Sequence, residues 1–136
     1  MNTKIELNHN KIARVRDLSD LAIILFPHNK RHQKVYLAIY IELKYSPDQS
    51  LPTLAWIAEK YNFSQRLLEI VRAKMRRMGI IDHVSKFSKK NNYREAWVFS
   101  SRFQRTLSRL TEYHTSFKKI ENSRQEQKDR DLFRYL

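Results

Sequence analysis

The chain has 136 residues, the length of one ordinary domain, so a single hydrophobic core is expected. It carries 27 Lys and Arg against 14 Asp and Glu, a formal charge of +13; such an excess attracts polyanions, of which nucleic acid is the first expected and an anionic membrane surface the competitor. The absence of cysteine excludes disulfides and thiolate zinc sites, and the single glycine, Gly79, excludes a glycine-rich phosphate loop or dinucleotide fingerprint.

Residues 1–10 are polar and expected to be loosely ordered. From Ile12, apolar residues recur at Val15, Leu18, Ala22 and Leu25, which predicts one N-terminal helix ended by Pro27. The longest apolar run there, residues 21–26, falls far short of the roughly 20 residues of a membrane span and lacks the cleavage site of a signal peptide, so an intracellular, cytoplasmic protein is expected. Residues 28–34, HNKRHQK, read as a basic connection. Residues 35–43, VYLAIYIEL, are apolar on nearly every side; periodicity alone cannot choose helix or strand, and length and the neighbouring helices favour helix. Ser46, Pro47 and Asp48 mark a turn, and Pro52 fits the first turn of a helix with Leu54, Ile57, Ala58 and Tyr61 on one face, stopping near Asn62.

Ser64 is a good N-cap for the next helix, in which Leu68, Val71, Met75 and Met78 form one apolar stripe. The opposite face carries Gln65, Arg66, Glu69, Arg72 and Arg76, and Gly79 sits where the helix should end. Two β-like runs, 80–87 and 94–100, flank the polar residues 88–93 and suggest an antiparallel hairpin with a basic tip. Ser100 or Ser101 can cap a long terminal helix, in which Phe103, Leu107, Leu110, His114 and Phe117 follow steps of four and three, the spacing of a coiled-coil seam. Self-association through that stripe is favoured over its folding back on the N-terminal helix. Residues 121–130 read as a polar tail, and Leu132, Phe133 and Leu136 as a small anchor.

Two helices joined by a tight turn and followed by a hairpin, with IAEKYNFSQ at 57–65 and MRRMGII at 75–81, resemble the winged helix-turn-helix superfamily of transcription regulators. The likeness lies in the apolar-Ala-x-x-x-x-apolar-Ser pattern and in the apolar-x-x-x-Gly-apolar-apolar helix exit, and it covers about residues 35–103, half of the chain. Asn62 stands where the family often has glycine, which asparagine's tolerance of positive φ accommodates. Arg72 lies near a position that is apolar in many members, so Val71 is expected to be buried and Arg72 to face outward. The resemblance implies a mainly α fold with a small β-hairpin: an N-terminal extension with one helix (1–34), the winged helix-turn-helix domain (35–103) and a C-terminal helix with a polar tail (104–136).

It also implies that the helix from Ser64 enters a DNA major groove and that the 88–93 tip reaches backbone or minor groove. The side chains suit those places: Gln65 can pair with adenine and Arg66 with guanine, while Ser64 and the amides beside it offer a phosphate seat. Between Arg66 and Arg94 nine Lys or Arg face two acids, Glu69 and Asp82. The candidate DNA-binding set is Ser64, Gln65, Arg66, Glu69, Arg72, Arg76, Lys86, Lys89, Lys90, Asn91, Asn92 and Arg94. Glu69 is repelled by phosphate unless it accepts from a cytosine amino group, and is expected to tune selectivity.

Trp56 and Trp97 are expected in or near the core. His28 and His32 have the spacing of a metal pair but no third ligand, and Asp17, Asp20, Glu59 and Glu95 show no catalytic pairing, so neither a metal site, a cofactor nor an enzyme is expected. The expected protein is a sequence-specific binder of double-stranded DNA, a homodimer with no evident small-molecule effector and no membrane association. The alternative is an assembly module of a replication or transcription complex that binds protein and, without specificity, nucleic acid.

Overall fold

The computed structural model describes residues 4–88 and 92–136. Its first compact unit runs to Arg102 and its second covers 103–136. The fold is mainly helical with one small antiparallel sheet.

The first unit opens with α1 (His9–Ala13) and α2 (Leu18–Leu25) rather than with one helix from Ile12. Asp17 makes the break. Its backbone is extended, at φ −143°, and its carboxylate accepts from Asp20 N–H at 2.9 Å and from Ser19 Oγ at 2.6 Å. A short acidic side chain satisfies a free helix-end donor better as a cap than it serves a helix interior. Nor are residues 4–10 loose: Glu6 N–H donates to the Ile24 carbonyl at 3.0 Å, and Asn8 caps α1.

Residues 28–34 are likewise mostly helix, not connection, because Asn29 caps α3 (Lys30–Lys44) by accepting from His32 N–H at 3.1 Å. The Gln33 amide, one turn into α3, donates back to the Phe26 carbonyl at 2.8 Å, which holds the end of α2 against the start of α3. A 3₁₀ turn (Pro47–Gln49) leads into β1 (Ser50–Leu51). Pro52 precedes α4 (Ala55–Lys60) instead of lying in its first turn. Then come α5 (Gln65–Met78) and a hairpin of β2 (Ile81–Ser88) and β3 (Asn92–Phe99).

β3 is the central strand, paired to β1 on one edge and β2 on the other. The β2–β3 register runs from Ile81↔Phe99 to Ser88↔Asn92. Ser88, Asn92 and Tyr93 therefore belong to the ladder, where a longer connection was expected. Ladder hydrogen bonds need backbone partners, not apolar side chains, so a hairpin continues past the core with polar residues.

The core gathers along α3, which packs against α2, α4, α5 and β3. Val35, Tyr36, Ile39 and Leu43 from α3 are buried in this core, as are Ala22 and Leu25 of α2, Ile57 of α4, Leu68, Val71 and Met75 of α5, and Ile81 of β2. Trp97 joins them, as expected, at 8% exposure; Trp56, expected near the core, is 38% exposed with its indole N–H donating to the Thr53 carbonyl at 2.9 Å. No polar or charged residue is buried among the described residues.

The second unit holds most of α6 (Arg102–Phe117), then α7 (Ser123–Leu132) and a short 3₁₀ turn (Phe133–Tyr135). The tail expected to be merely polar is thus a helix. Asn122 caps it by accepting from Gln125 N–H at 2.9 Å, and i,i+4 pairs run along it, Arg130 to Glu126 at 2.8 Å and Gln125 to Asp129 at 3.0 Å. Leu132, Phe133 and Leu136 are exposed and do not form an anchor within this unit. Among the described residues, no helix is long and apolar enough to cross a membrane.

A polar contact also joins α3 to α5. Lys74 Nζ stands 3.0 Å from His32 Nδ1, and since an ammonium only donates, the ring accepts there and is neutral. Burial, reinforced by the Lys74 and Arg31 charges, holds the His32 imidazole below its ordinary pKa. Its neutral form therefore contributes fully above the ordinary imidazole value of about 6.5 and is lost as the pH falls through the lowered one. Urea midpoints should accordingly drop between pH 8 and pH 5, and His32→Gln should drop less; equal losses would place the pH sensitivity elsewhere.

Candidate nucleic-acid interface

The candidate interface is built on α5, and both ends of that helix are closed by local chemistry. Asn62 takes φ 59°, reversing the chain after α4 as expected of asparagine there. Ser64 Oγ accepts from Leu67 N–H at 3.1 Å. At the far end Gly79 adopts φ 84°, its N–H donates to the Arg76 carbonyl at 3.0 Å, and Ile80 N–H donates to the Met75 carbonyl at 2.9 Å. That pair of bonds closes a helix through a left-handed residue, which only glycine enters without steric cost.

At about 100° per residue, burial of Leu68, Val71 and Met75 turns Arg66, Glu69, Ala73 and Arg76 outward, and all four are exposed. Ser64 and Gln65 are exposed at the helix start. The Gln65 amide is engaged, donating to the Ala55 carbonyl of α4 at 2.8 Å. Arg72 departs from expectation: it is half-buried on the flank, with its guanidinium carbon 5.0 Å from the Trp97 ring centroid. A guanidinium is weakly hydrated and gains from an aromatic face, so this flank position draws it off the outward surface. Lys74, counted in the basic stretch, lies on the other flank, against His32.

A groove of about 940 Å³ lies between α5 and the sheet, with Arg72, Ala73 and Arg76 on one wall and His83 and Trp97 on the other. His83 stacks on Trp97, centroids 4.5 Å apart and planes 16° from parallel, as cross-strand partners in the ladder. Arg102 closes the groove's end. Its Nη2 donates to the Arg76 carbonyl at 2.9 Å, and its guanidinium grips both carboxylate oxygens of Asp82, Nε to Oδ2 at 3.2 Å. This hydrogen-bonded guanidinium holds the Asp82 carboxyl below its ordinary pKa.

Of the hairpin residues expected to touch DNA, Lys86, Asn92 and Arg94 lie on the paired strands, with Lys86↔Arg94 and Ser88↔Asn92 in register. Lys89, Lys90 and Asn91 lie outside the described residues. Two features escaped the sequence reading. Arg102 pairs with a residue twenty positions away, a separation with no local signal. Ala73, central on the exposed face of α5, could have been found by extending the same helical spacing that gave Arg66 and Glu69. Among the described residues, no group of three or more His, Asp or Glu side chains converges as a metal set.

Both partners of the Arg102–Asp82 pair are partly exposed, so Arg102→Ala should lower the urea midpoint only modestly. Arg102→Lys should recover little of that, since an ammonium cannot reproduce the two-pronged grip; full recovery would reduce the contact to simple charge. Comparison of the chain with models of known protein families, with curated proteins and with solved structures finds no significant match.

Proposed function

We propose that this protein is a winged helix-turn-helix protein that binds double-stranded DNA sequence-specifically, a cytoplasmic transcription regulator without catalytic activity. The element order supports the fold: helix α3, short strand β1, helices α4 and α5, then a hairpin whose second strand pairs with β1. One observation carries the function. A 14-residue helix, capped at both ends and fixed in rotation by its buried stripe, presents Arg66, Glu69 and Arg76 around an exposed Ala73.

A helix of this width fits a major groove about 12 Å across, and a small residue at the centre of its outer face allows close approach. Arg66, one residue into the helix, is the base reader in this account, suited to the O6 and N7 acceptors of guanine. Ser64 and the first-turn amides meet phosphate, Arg76 adds charge further along, and Glu69 selects for a cytosine amino group. Arg72 acts here by holding the groove wall against Trp97. The hairpin, with Lys86, Lys89, Lys90, Asn91, Asn92 and Arg94, lies along backbone or minor groove.

The engaged Gln65 amide and the stacked Arg72 favour weighing a second reading, because they reduce the groups available to read bases. In it the domain is an assembly module of a replication or transcription complex that binds protein and takes nucleic acid without sequence preference.

Selection of bound duplexes from a random pool separates the two, since only the regulator enriches a site. On that site Arg66→Ala should cost about 1–3 kcal/mol and relax preference at one base pair. Lys89→Ala should weaken all sequences alike and lower the salt slope by about one. Equal loss from Arg66→Ala on selected and random duplexes would remove the claim of specificity.

A further inference from the structure

The residues of α6 divide sharply by position. Phe103, Leu107, Leu110, His114 and Phe117 follow one another at steps of four, three, four and three, which sets them in one stripe along the 16-residue helix. Phe103 is half-buried at the start of the stripe, and the rest of it is open: Leu107 is 38%, Leu110 58% and Phe117 80% exposed, and no residue of α6 is fully buried. Tyr113 lies along its border, stacked on Phe117 with centroids 6.1 Å apart.

The charges of α6 are kept away from the stripe. The residues bordering it, Gln104, Thr106, Thr111 and Tyr113, are uncharged, whereas Arg105, Arg109 and Glu112 project from the far side. In a coiled-coil pair those bordering positions lie closest to the partner helix and decide which partner is accepted. A chain of charge +13 repels its own copies over most of its surface. The α6 stripe is a face on which two copies meet without setting like charges side by side.

Orientation follows from the lengthwise order of the side chains. A parallel pair aligns the two helix dipoles and sets the two His114 rings against each other at one level of the seam. An antiparallel pair centred on Leu110 opposes the two dipoles instead. The stripe is also nearly symmetric about Leu110, so Phe103 then packs against Phe117 at both ends, and each His114 lies beside a Leu107 instead of against a second imidazole.

We propose that two copies of this chain associate through α6, antiparallel, with Leu110 on the two-fold axis. The inference is independent of what α5 binds.

The chain has no cysteine, so single introduced thiols report the pairing directly. Under mild oxidation without DNA, Leu110→Cys should form a disulfide dimer. A mixture of Phe103→Cys with an affinity-tagged Phe117→Cys should give the mixed disulfide several-fold over either self-linked product. Sedimentation should show a dimer for the natural chain and a monomer for Leu110→Glu, whose circular dichroism should be unchanged because the position is exposed. Phe103→Cys linking to itself as readily as Leu110→Cys would establish a parallel pair and overturn the proposal. A natural chain that sediments as a monomer would overturn it too, assigning the stripe to cover by its own chain or to no cover at all. Since no measurement includes DNA, failure of the DNA-binding reading leaves each outcome intact.

Discussion

Burial of Leu68, Val71 and Met75 against the α3 core is the interaction on which the rest of the structure depends. Three side chains on one stripe, each costing about 2–5 kcal/mol to truncate to alanine, fix the rotation of α5 about its axis. Ser64 at one end and Gly79 at the other fix where it starts and stops. Once rotation and length are set, the outer face follows by geometry, and so does the separate fate of each cation. Arg66 and Arg76 are left in solvent, while those at the flanks are drawn to neighbouring elements, Lys74 to the His32 ring and Arg72 to the Trp97 face. Charge counted along the sequence therefore overstates the charge presented on one surface.

The same helix also positions the sheet. Trp97 pairs across the ladder with His83 on one side and with Leu51 on the other, and receives the Arg72 guanidinium from α5. Arg102 ties the first residues of β2 to the last turn of α5 through Asp82 and the Arg76 carbonyl. The base of the hairpin is thus held to α5 by one aromatic and one ionic contact, on adjacent rungs of the ladder. Its outer rungs continue the ladder at an angle set by the inner ones.

What could be read in the sequence was what local chemistry decides. The Ser64 cap, the Asn62 reversal, the Gly79 exit and the stripe between them each depend on a few neighbouring residues, and all were legible. So was the hairpin, from its alternation. The misreadings share a cause, in that a polar side chain did structural work at a distance or in place of an apolar pattern. Asp17 split the first helix, Asn29 started α3 inside an apparent basic linker, and side-chain pairs four residues apart made α7 helical without an apolar stripe. β1 is two residues long and exists because β3 offers a free edge, information that lies almost fifty residues downstream. Arg72 was misplaced for the same reason, its aromatic partner Trp97 lying far along the chain, whereas Trp56 is held at the surface by its own neighbours Thr53 and Lys60.

The two proposals, DNA on α5 and a second copy on α6, are bound by electrostatics. Bringing together two chains that each carry +13 raises their mutual repulsion, and uncharged flanks along α6 lessen that cost without removing it. A polyanion removes much of the remainder, since each phosphate contact neutralises a cation and releases a condensed counterion. DNA that spans both subunits would then favour the pair, and by reciprocity the pair would bind DNA more tightly than the single chain by the same factor. That coupling needs no contact between α5 and α6. It needs only that two like-charged subunits share one oppositely charged ligand, so added salt should weaken DNA binding while easing self-association, moving the two equilibria in opposite directions.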